Sequence, residues 1–542
     1  MELVDGGIRS AAVLTFGVTG HRDIPPDDRD SLRRHFSQIF REYVEAMPST
    51  SFLLITALAD GADQIAADVA LTMPRFEVVA ALPMPLDDYL ADFPGENSRS
   101  LLELLGRCDG RLDTSRFHEH LRPEVPSERI ALYQVCGRWI SDNCHALLAA
   151  WNGQAPAHVG GTADIVYYRV DALEPLLSPH ASAGLNRNDS RLVLWCPTRR
   201  GQALHSTSDQ ADIQIVRKGG ESEAWLGISD ESARSVDDFN RLSQLTLRSA
   251  EASQELYEAA DLLASRLQKQ YRRLVKAVTV SGMATLLCID AMQTTNDLRL
   301  AVALGGFAVL TAGLMLLLYR ARLKTRFQQA RYLAECCRVQ LVWLACGLPR
   351  SPVYFLIDGV GSSGAWIRAS LRAAWILDST RAREIPNLSK AEIWLKEQLA
   401  YFLGTKTQDG AISRMQRRHL VIQRGAWFLI VLAILAVGAE IAMMIVGTAP
   451  DTPSRQVVGL IWALGIGGGV GLFTYGELMG YGELSRRYAL LVPSLQEAAA
   501  ALAKSTSVEE STAVIQDAGL AALQESGDWL ALHSQQHVRP LW

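Results

Sequence analysis

Four apolar stretches in the second half of a 542-residue chain restrict its fold more than any other feature. Residues 301–319 carry no charge over 19 positions, and 457–476 carry none over 20. Residues 425–447 hold one carboxylate, Glu440, and 277–292 hold Asp290 close to their end. A bilayer core about 30 Å thick takes about 20 apolar residues in helical form. The first two stretches in the chain then pair across 293–300, and the last two across 448–456, as two helical hairpins. Basic residues set the orientation. Arg266, Lys269, Arg272, Arg273 and Lys276 precede the first stretch, and Arg320, Arg322, Lys324 and Arg326 follow the second. Arg414, Arg417, Arg418 and Arg424 precede the third, and Arg486 and Arg487 follow the fourth, whereas the short hairpin loops hold only Arg299 and Arg455. The asymmetry predicts a multi-pass protein with both termini and the 321–424 segment in the cytoplasm.

Composition narrows the function classes. Lys plus Arg total 53 against 58 Asp plus Glu, a net charge of −5 that speaks against nucleic-acid binding driven by bulk positive charge. With 49% hydrophobic and 20% charged residues, the chain is neither disordered, collagenous nor a small disulfide scaffold. Cys108, Cys136, Cys144, Cys196, Cys288, Cys336, Cys337 and Cys346 form no CxxC pair and no zinc spacing, so they read as thiols of a reducing compartment and no metal site is expected. The opening Met1-Glu2-Leu3-Val4-Asp5 has neither a basic nor an apolar leader region, and no secretory signal is expected.

The first 200 residues follow another rhythm. Short β-rich runs at 12–18, 52–57, 76–82, 145–151 and 192–197 alternate with helical stretches, among them one opening at Pro25-Pro26-Asp27-Asp28 and one over 64–71. Strands alternating with helices predict an α/β, Rossmann-like parallel sheet with both faces covered. Ligands of such sheets bind beyond the carboxyl ends of the strands. Those ends carry Thr19-Gly20-His21-Arg22, Asp60-Gly61-Ala62-Asp63 and Trp151-Asn152-Gly153, with Gly160-Gly161-Thr162 soon after. Glycine lets a phosphate approach the backbone, N–H groups at a helix start can cradle it, and Thr162, His21 and Arg22 add a hydroxyl and positive charge. Two readings stand for Thr19–Arg22: phosphate or ribose contact, or a tight turn with Arg22 in solvent. His21 fits a satisfied turn histidine better than a catalytic base. Asp60 and Asp63 either bind a ribose or start a helix. No GxGxxG follows the first strand, so the dinucleotide fingerprint is absent.

The ordered motifs GVTGHR (17–22), LADGADQIAA (58–67), LAAWNG (148–153) and GGTADIV (160–166) resemble the SLOG branch of Rossmann-like nucleotide-binding domains, related to the LOG phosphoribohydrolases and the DprA-type domains. The resemblance covers roughly 11–200. It implies that a nucleotide or nucleotide-derived second messenger binds at Thr19, Gly20, His21, Arg22, Asp60, Gly61, Ala62, Asp63, Trp151, Gly160, Gly161 and Thr162. The LOG enzymes carry a longer PGGxGTxxE motif with a catalytic glutamate. Here Val159-Gly160-Gly161-Thr162-Ala163-Asp164 has no Glu in the next few residues, which points to sensing and to no catalytic residue.

Residues 201–231 read as a polar linker. A long amphipathic helix over 232–273 leads into the first apolar stretch, as either a signal-transmitting element or a packing strut. The domain plan is thus a nucleotide-binding domain over 1–200, a linker over 201–231, and the amphipathic helix with the first hairpin over 232–326. A cytoplasmic helical insert over 327–424, the second hairpin over 425–480 and cytoplasmic helices over 481–542 complete it. Arg331, Glu335 and Arg338 share one helix face. Tyr475, Glu477, Tyr481, Glu483 and Tyr488 place aromatics and acids at near-helical spacing behind the fourth apolar stretch. Gly465, Gly467, Gly469 and Gly471 give small-xxx-small pairs, which serve either packing within the chain or an oligomer interface. Glu440, a carboxylate inside an apolar stretch, is the candidate for a polar path.

The segments RYLAECCR (331–338), IWLKEQLAYF (393–402) and GELSRRYALL (482–491) resemble the SLATT membrane effectors that accompany SLOG sensors in bacterial conflict systems. Those effectors are built around one hairpin, whereas this chain is expected to have two. The resemblances together imply a sensor-effector of the bacterial inner membrane, acting in antiphage defence. A nucleotide, cyclic-nucleotide or ADP-ribose-type molecule would be the signal, with no cofactor. The partners expected are the lipid bilayer and further copies of the chain, with no nucleic acid. The alternatives are a membrane-tethered nucleotide N-glycosidase or phosphoribohydrolase, and a transporter or structural membrane protein with a regulatory domain.

Overall fold

The computed structural model describes residues 9–93, 95–156, 158–171, 192–201, 212–216, 222–228, 230–243, 251–295, 298–348, 350–356, 364–380, 386–449 and 452–535. Among the described residues, eight strands form one sheet: β1 (Val13–Gly20), β2 (Ser51–Thr56), β3 (Phe76–Leu82), β4 (Gly110–Asp113), β5 (Ala146–Trp151), β6 (Leu192–Pro197), β7 (Gln214–Val216) and β8 (Ser222–Ala224). Their order is β4-β3-β2-β1-β5-β6-β7-β8. β1 to β6 pair in parallel, while β7 and β8 add an antiparallel edge within the expected linker. The five strands expected from the sequence are all present, and the sheet is mixed rather than wholly parallel.

The strands β1, β2, β3, β5 and β6 are largely apolar runs because both faces are covered. Every residue of β2 and β5 is buried. On one face, α1 (Pro26–Ala46) turns Leu32, Phe36, Ile39, Phe40 and Tyr43 inward, a helical repeat of three and four. Its aromatics meet Phe16, Phe52 and Phe76 with ring centroids 4.6–6.5 Å apart. Pro26 in the first turn and Asp27 and Asp28 beside it suit the helix start. α2 (Ala62–Ala70), α3 (Leu86–Leu90), α4 (Glu96–Arg107), α5 (Pro126–Asn143) and α6 (Thr162–Asp171) link the remaining parallel strands. Ile165, Val166 and Val170 of α6 pack with Leu147, Ala149, Trp151 and Val193.

The second half is helical: α7 (Glu231–Ser243), α8 (Ala252–Thr295), α9 (Leu298–Arg320), α10 (Leu323–Ala345), α11 (Ala365–Ser379), α12 (Ser389–Leu403), α13 (Ala411–Ile445), α14 (Pro453–Met479), α15 (Tyr481–Leu502) and α16 (Val508–Gln535). The helix expected over 232–273 is therefore two helices, α7 and the start of α8. Leu245 and Leu247 of that pattern lie outside the described residues. The chain divides into two units, Met1–Leu262 with Tyr332–Asn387 and Ser526–Trp542, and Leu263–Arg331 with Leu388–Glu525.

Within the first unit, α11 is buried from Ala365 to Asp378 and packs on β1 and α7. The Asp378 carboxylate accepts the N–H groups of Ala252 (2.6 Å) and Ser253 (2.9 Å), supplying donors at the start of α8 with an acceptor from far along the chain. Part of the expected insert thus completes the core of the sheet unit.

Among the described residues, three stretches are long and apolar enough to cross a membrane: Leu298–Ala345, Ala411–Ile445 and Pro453–Leu502. None of α9 is buried. The remaining expected stretch, 277–292, is the end of α8. It is short, and the Asp290 side chain lies outside the described residues. Gly465 and Gly469 of α14 face α13 so closely that an added Cβ would come within 2.7 Å of Ala433 Cβ and of Ile430 Cγ1, respectively. Gly471 and Gly467 face Met283 and Leu286 of α8, at 3.0 and 3.4 Å on the same measure. Both glycine faces are used inside the chain.

Candidate functional site

The sheet order reverses direction between β1 and β5. From β1 the chain builds outward to β4, then returns to the free edge of β1 as β5. Such a reversal separates the loops that leave the two strands and opens a crevice above their carboxyl ends. Thr19 and Gly20 pair with Ala149 and Ala150, so the β1 and β5 exits lie side by side. The described residues place every residue of the sequence-derived nucleotide set at this end of the sheet.

The two loops on the β1 side are packed against each other. Gly61 has φ +83°, and a Cβ there would fall 2.4 Å from the His21 carbonyl oxygen and 2.5 Å from that of Arg22. The same His21 carbonyl accepts the Ala62 N–H at 3.2 Å. A Cβ at Gly20 would sit 2.2 Å from Ala62 Cβ and 2.9 Å from Ala150 Cβ. Gly20, Gly61 and Ala62 therefore serve the approach of one loop to the other. The His21 backbone N–H bonds the Ala150 carbonyl at 3.1 Å, and its Nε2 accepts the Asn152 N–H at 3.2 Å. Burial lowers the His21 pKa, with the Arg200 charge acting the same way. The ring is a neutral strut between the β1 and β5 exits, consistent with the turn-histidine reading.

Asp60 accepts its neighbour Gly61 N–H at 2.9 Å and the Asn97 amide at 3.0 Å. Asp63 is 5% exposed. Burial pushes its carboxyl up to about 7, against the Arg22 charge and hydrogen bonds from Ala59, Ala57 and Thr56. Arg22 is exposed, with its guanidinium carbon 5.0 Å from the Tyr133 ring and 5.8 Å from that of Phe93. Tyr133 donates to Asp92, which also receives Arg129 at 2.9 Å. Arg22 thus stands as a cation braced by two aromatic faces, with a buried titratable carboxyl behind it.

On the β5 side, Trp151 is 4% exposed. Its indole N–H donates to the Gln154 carbonyl at 3.0 Å, and its ring packs on Trp195 and Tyr167. It is a core residue, and Asn152 is the residue of that loop that reaches His21. Gly160, at φ +75°, sends its N–H to Asp164 Oδ2 at 2.9 Å. Gln134 donates to the same oxygen at 2.9 Å, and Arg138 lies 3.8 Å from the other. Asp164 thereby bends back over Gly160. A Cβ at Gly161 would meet only the His158 carbonyl oxygen, at 3.5 Å. Ile165 makes the first intrahelical bond, to Gly161. The N–H groups of Thr162, Ala163 and Asp164 thus begin α6 without a backbone acceptor among the described residues, beside the Thr162 hydroxyl.

Phe93, Tyr133, Gln134 and Arg138 join this region without having been singled out from the sequence, and Asn152 and Asp164 were named there only within motifs. The i, i+4 spacing of Gln134 and Arg138 on a helix between two strands is a signal from which a shared polar face could have been read. Among the described residues no three His, Cys, Asp or Glu side chains converge as metal ligands. No known family model matches the chain, and no curated protein matches it.

In the second unit, Glu440 is engaged. Arg455 Nε donates to Glu440 Oε1 at 2.9 Å, a second guanidinium N–H donates to the same oxygen, and Arg455 also donates to the Thr448 carbonyl at 3.1 Å. The pair ties α13 to the start of α14 and neutralises both charges.

Proposed function

We propose that the protein is a membrane-anchored receptor-effector whose Rossmann-like domain binds a nucleotide-derived signal and whose apolar helices respond by perturbing the bilayer. The observation that carries this reading is the open start of α6. Three backbone N–H groups and the Thr162 hydroxyl stand at the carboxyl end of the sheet, in a chain with three membrane-length helices among its described residues. Arg22 supplies positive charge at the same end. The SLOG and SLATT resemblances support sensing coupled to membrane damage in a bacterial antiphage response, by a homo-oligomer of the inner membrane. In that reading 277–292 is a fourth span, the four form two hairpins, and both termini are cytoplasmic. A signal drives the change only if it prefers one state, and a tenfold preference corresponds to about 1.4 kcal/mol per site.

The test is the full chain in liposomes loaded with a self-quenched dye, titrated with nucleoside monophosphates, cyclic dinucleotides and ADP-ribose. Leakage that begins only with one nucleotide class supports the proposal. Binding heat with no leakage in any arm removes the effector role, and no binding in any arm removes the sensor role. A second reading, nucleotide N-glycosidase activity, is favoured by Asp63, whose carboxyl near 7 can hold or release a proton at neutral pH. Release of free base in the same titration would select it.

A further inference from the structure

Behind the apolar part of α14, four helices of the second unit bring together two arginines and two tyrosines that the receptor reading leaves without a role. Arg418 of α13 places its guanidinium carbon 5.8 Å from the Tyr481 ring of α15. Tyr475 of α14 lies beside Tyr481, and Arg418 and Arg272 of α8 are near enough for their charges to reach its hydroxyl. Two further contacts fix the cluster. Tyr271, next to Arg272, donates to the Leu478 carbonyl at 3.4 Å, and His419, next to Arg418, lies 3.0 Å from where a Cβ at Gly482 would be. Lys276, Arg424 and Arg486 are exposed on the same helices. The carboxylates on the same helix segments are Glu477 and Glu483, and Glu483 is paired with Arg487 at 2.9 Å. Positive charge dominates.

The depth is informative. At about 1.5 Å per residue, Arg272 lies about 8 Å beyond the start of the 277–292 stretch, and Arg418 about 10 Å beyond that of 425–447. The headgroup zone on each side of a bilayer core is about 5–8 Å deep, and arginine side chains extend toward phosphates. Tyrosine belongs at the same depth. Basic pockets between membrane helices bind anionic headgroups.

We propose that Arg272, Arg418, Tyr475 and Tyr481 form a site for the phosphate of an anionic phospholipid on the basic side of the membrane. The site rests on the reading that these helices cross a bilayer. Its occupant is the lipid itself, held by two guanidinium groups whose charge the tyrosines confine.

The experiment uses the full chain in nanodiscs of phosphatidylcholine into which phosphatidylglycerol is titrated, with bound lipid counted by native mass spectrometry after transfer to detergent. Wild type should retain phosphatidylglycerol selectively. The Arg272→Gln/Arg418→Gln variant should bind it about thirtyfold more weakly, while Arg272→Lys/Arg418→Lys keeps most of the selectivity and shows that the fold survives. Arg320→Gln/Arg326→Gln, at the end of α9 and on α10, should leave retention unchanged. Equal loss in that control, or equal retention of both lipids by wild type, overturns the site. So does inorganic phosphate displacing the lipid's stabilising effect completely. Resistance to alkaline carbonate extraction is read on the same preparations. Extraction of wild type overturns the membrane reading itself, whereas resistance without lipid selectivity overturns only this site.

Discussion

Gly61→Ala and Gly161→Asp separate a packing glycine from a ligand glycine. At Gly61 the backbone has φ +83° and ψ −118°, a region open to glycine and costly for any L side chain. The new methyl would also lie 2.4 and 2.5 Å from two carbonyl oxygens of the His21–Arg22 backbone, which cannot swing away as a side chain could. Backbone strain of about 1–3 kcal/mol and overpacking of about 1–3 kcal/mol sum to about 2–6 kcal/mol. That is a large share of the ordinary stability of a domain. For a unit of this size the melting temperature should fall by about 5 °C or more, read by the near-ultraviolet signal of the full chain in detergent. Gly161 differs. Its position is open apart from one carbonyl oxygen at 3.5 Å. Gly161→Asp should melt within about 2 °C of wild type, since surface changes away from special backbone sites cost little. It would set a carboxylate where an anionic ligand meets the α6 start, so nucleotide binding in titration calorimetry should be lost. A Gly61→Ala protein that melts with wild type would refute the loop-packing argument. A Gly161→Asp protein that binds nucleotide normally would refute the α6 assignment.

Three further outcomes are expected. Because the folded Asp63 value of about 7 exceeds the ordinary carboxyl value, its neutral form stabilises the fold fully below about pH 4, and that contribution fades as pH rises through 7. Asp63→Asn should abolish this part of the pH dependence, at most about 4 kcal/mol, seen as a smaller melting difference between pH 5 and pH 8. Glu440→Gln should weaken the hairpin by about 1–3 kcal/mol by leaving Arg455 without its carboxylate, and a double-mutant cycle with Arg455→Gln should return a coupling energy of similar size. Unchanged stability together with altered leakage would instead restore Glu440 to a polar path. Gly465→Leu should separate α13 from α14 and reduce the yield of folded protein, whereas Gly305→Leu on α9, with open space around it, should be tolerated.

Much of the fold was legible because it is written in local pattern. β3 and β6 span the residues expected, and β1, β2 and β5 differ from expectation by one or two at an end. β4 (GRLD) and β8 (SEA) were not legible, since each is three or four residues long, carries charge and gains its form from a neighbouring strand. Two apolar helices at 425–447 and 457–476 were clear from length alone. The separation of α7 from α8 was not visible, because the amphipathic pattern runs through it and the start of α8 is capped by Asp378, 126 residues from Ala252.

The candidate site was legible as a set of positions and not as a set of roles. Carboxyl ends of strands can be found from order and period. Which glycine admits a ligand and which admits a neighbouring loop depends on atoms brought together from separate loops. Trp151 stands in LAAWNG among the expected nucleotide-binding residues, yet Tyr167 and Trp195 cover it. Glu440 stands alone in its apolar stretch, yet Arg455 reaches it across the hairpin turn.

Secondary structure, the α/β character of the first 200 residues and the presence of membrane-length helices were determined by the sequence itself, because each depends on the spacing of apolar residues along a short length of chain. The order of strands with its reversal between β1 and β5, the inward use of the α14 glycines and the partners of Asp63, Asp164 and Glu440 were decided only by tertiary structure. Those features depend on contacts between residues far apart in the chain, where burial and the need to satisfy each buried polar group select one arrangement among many that the local pattern allows.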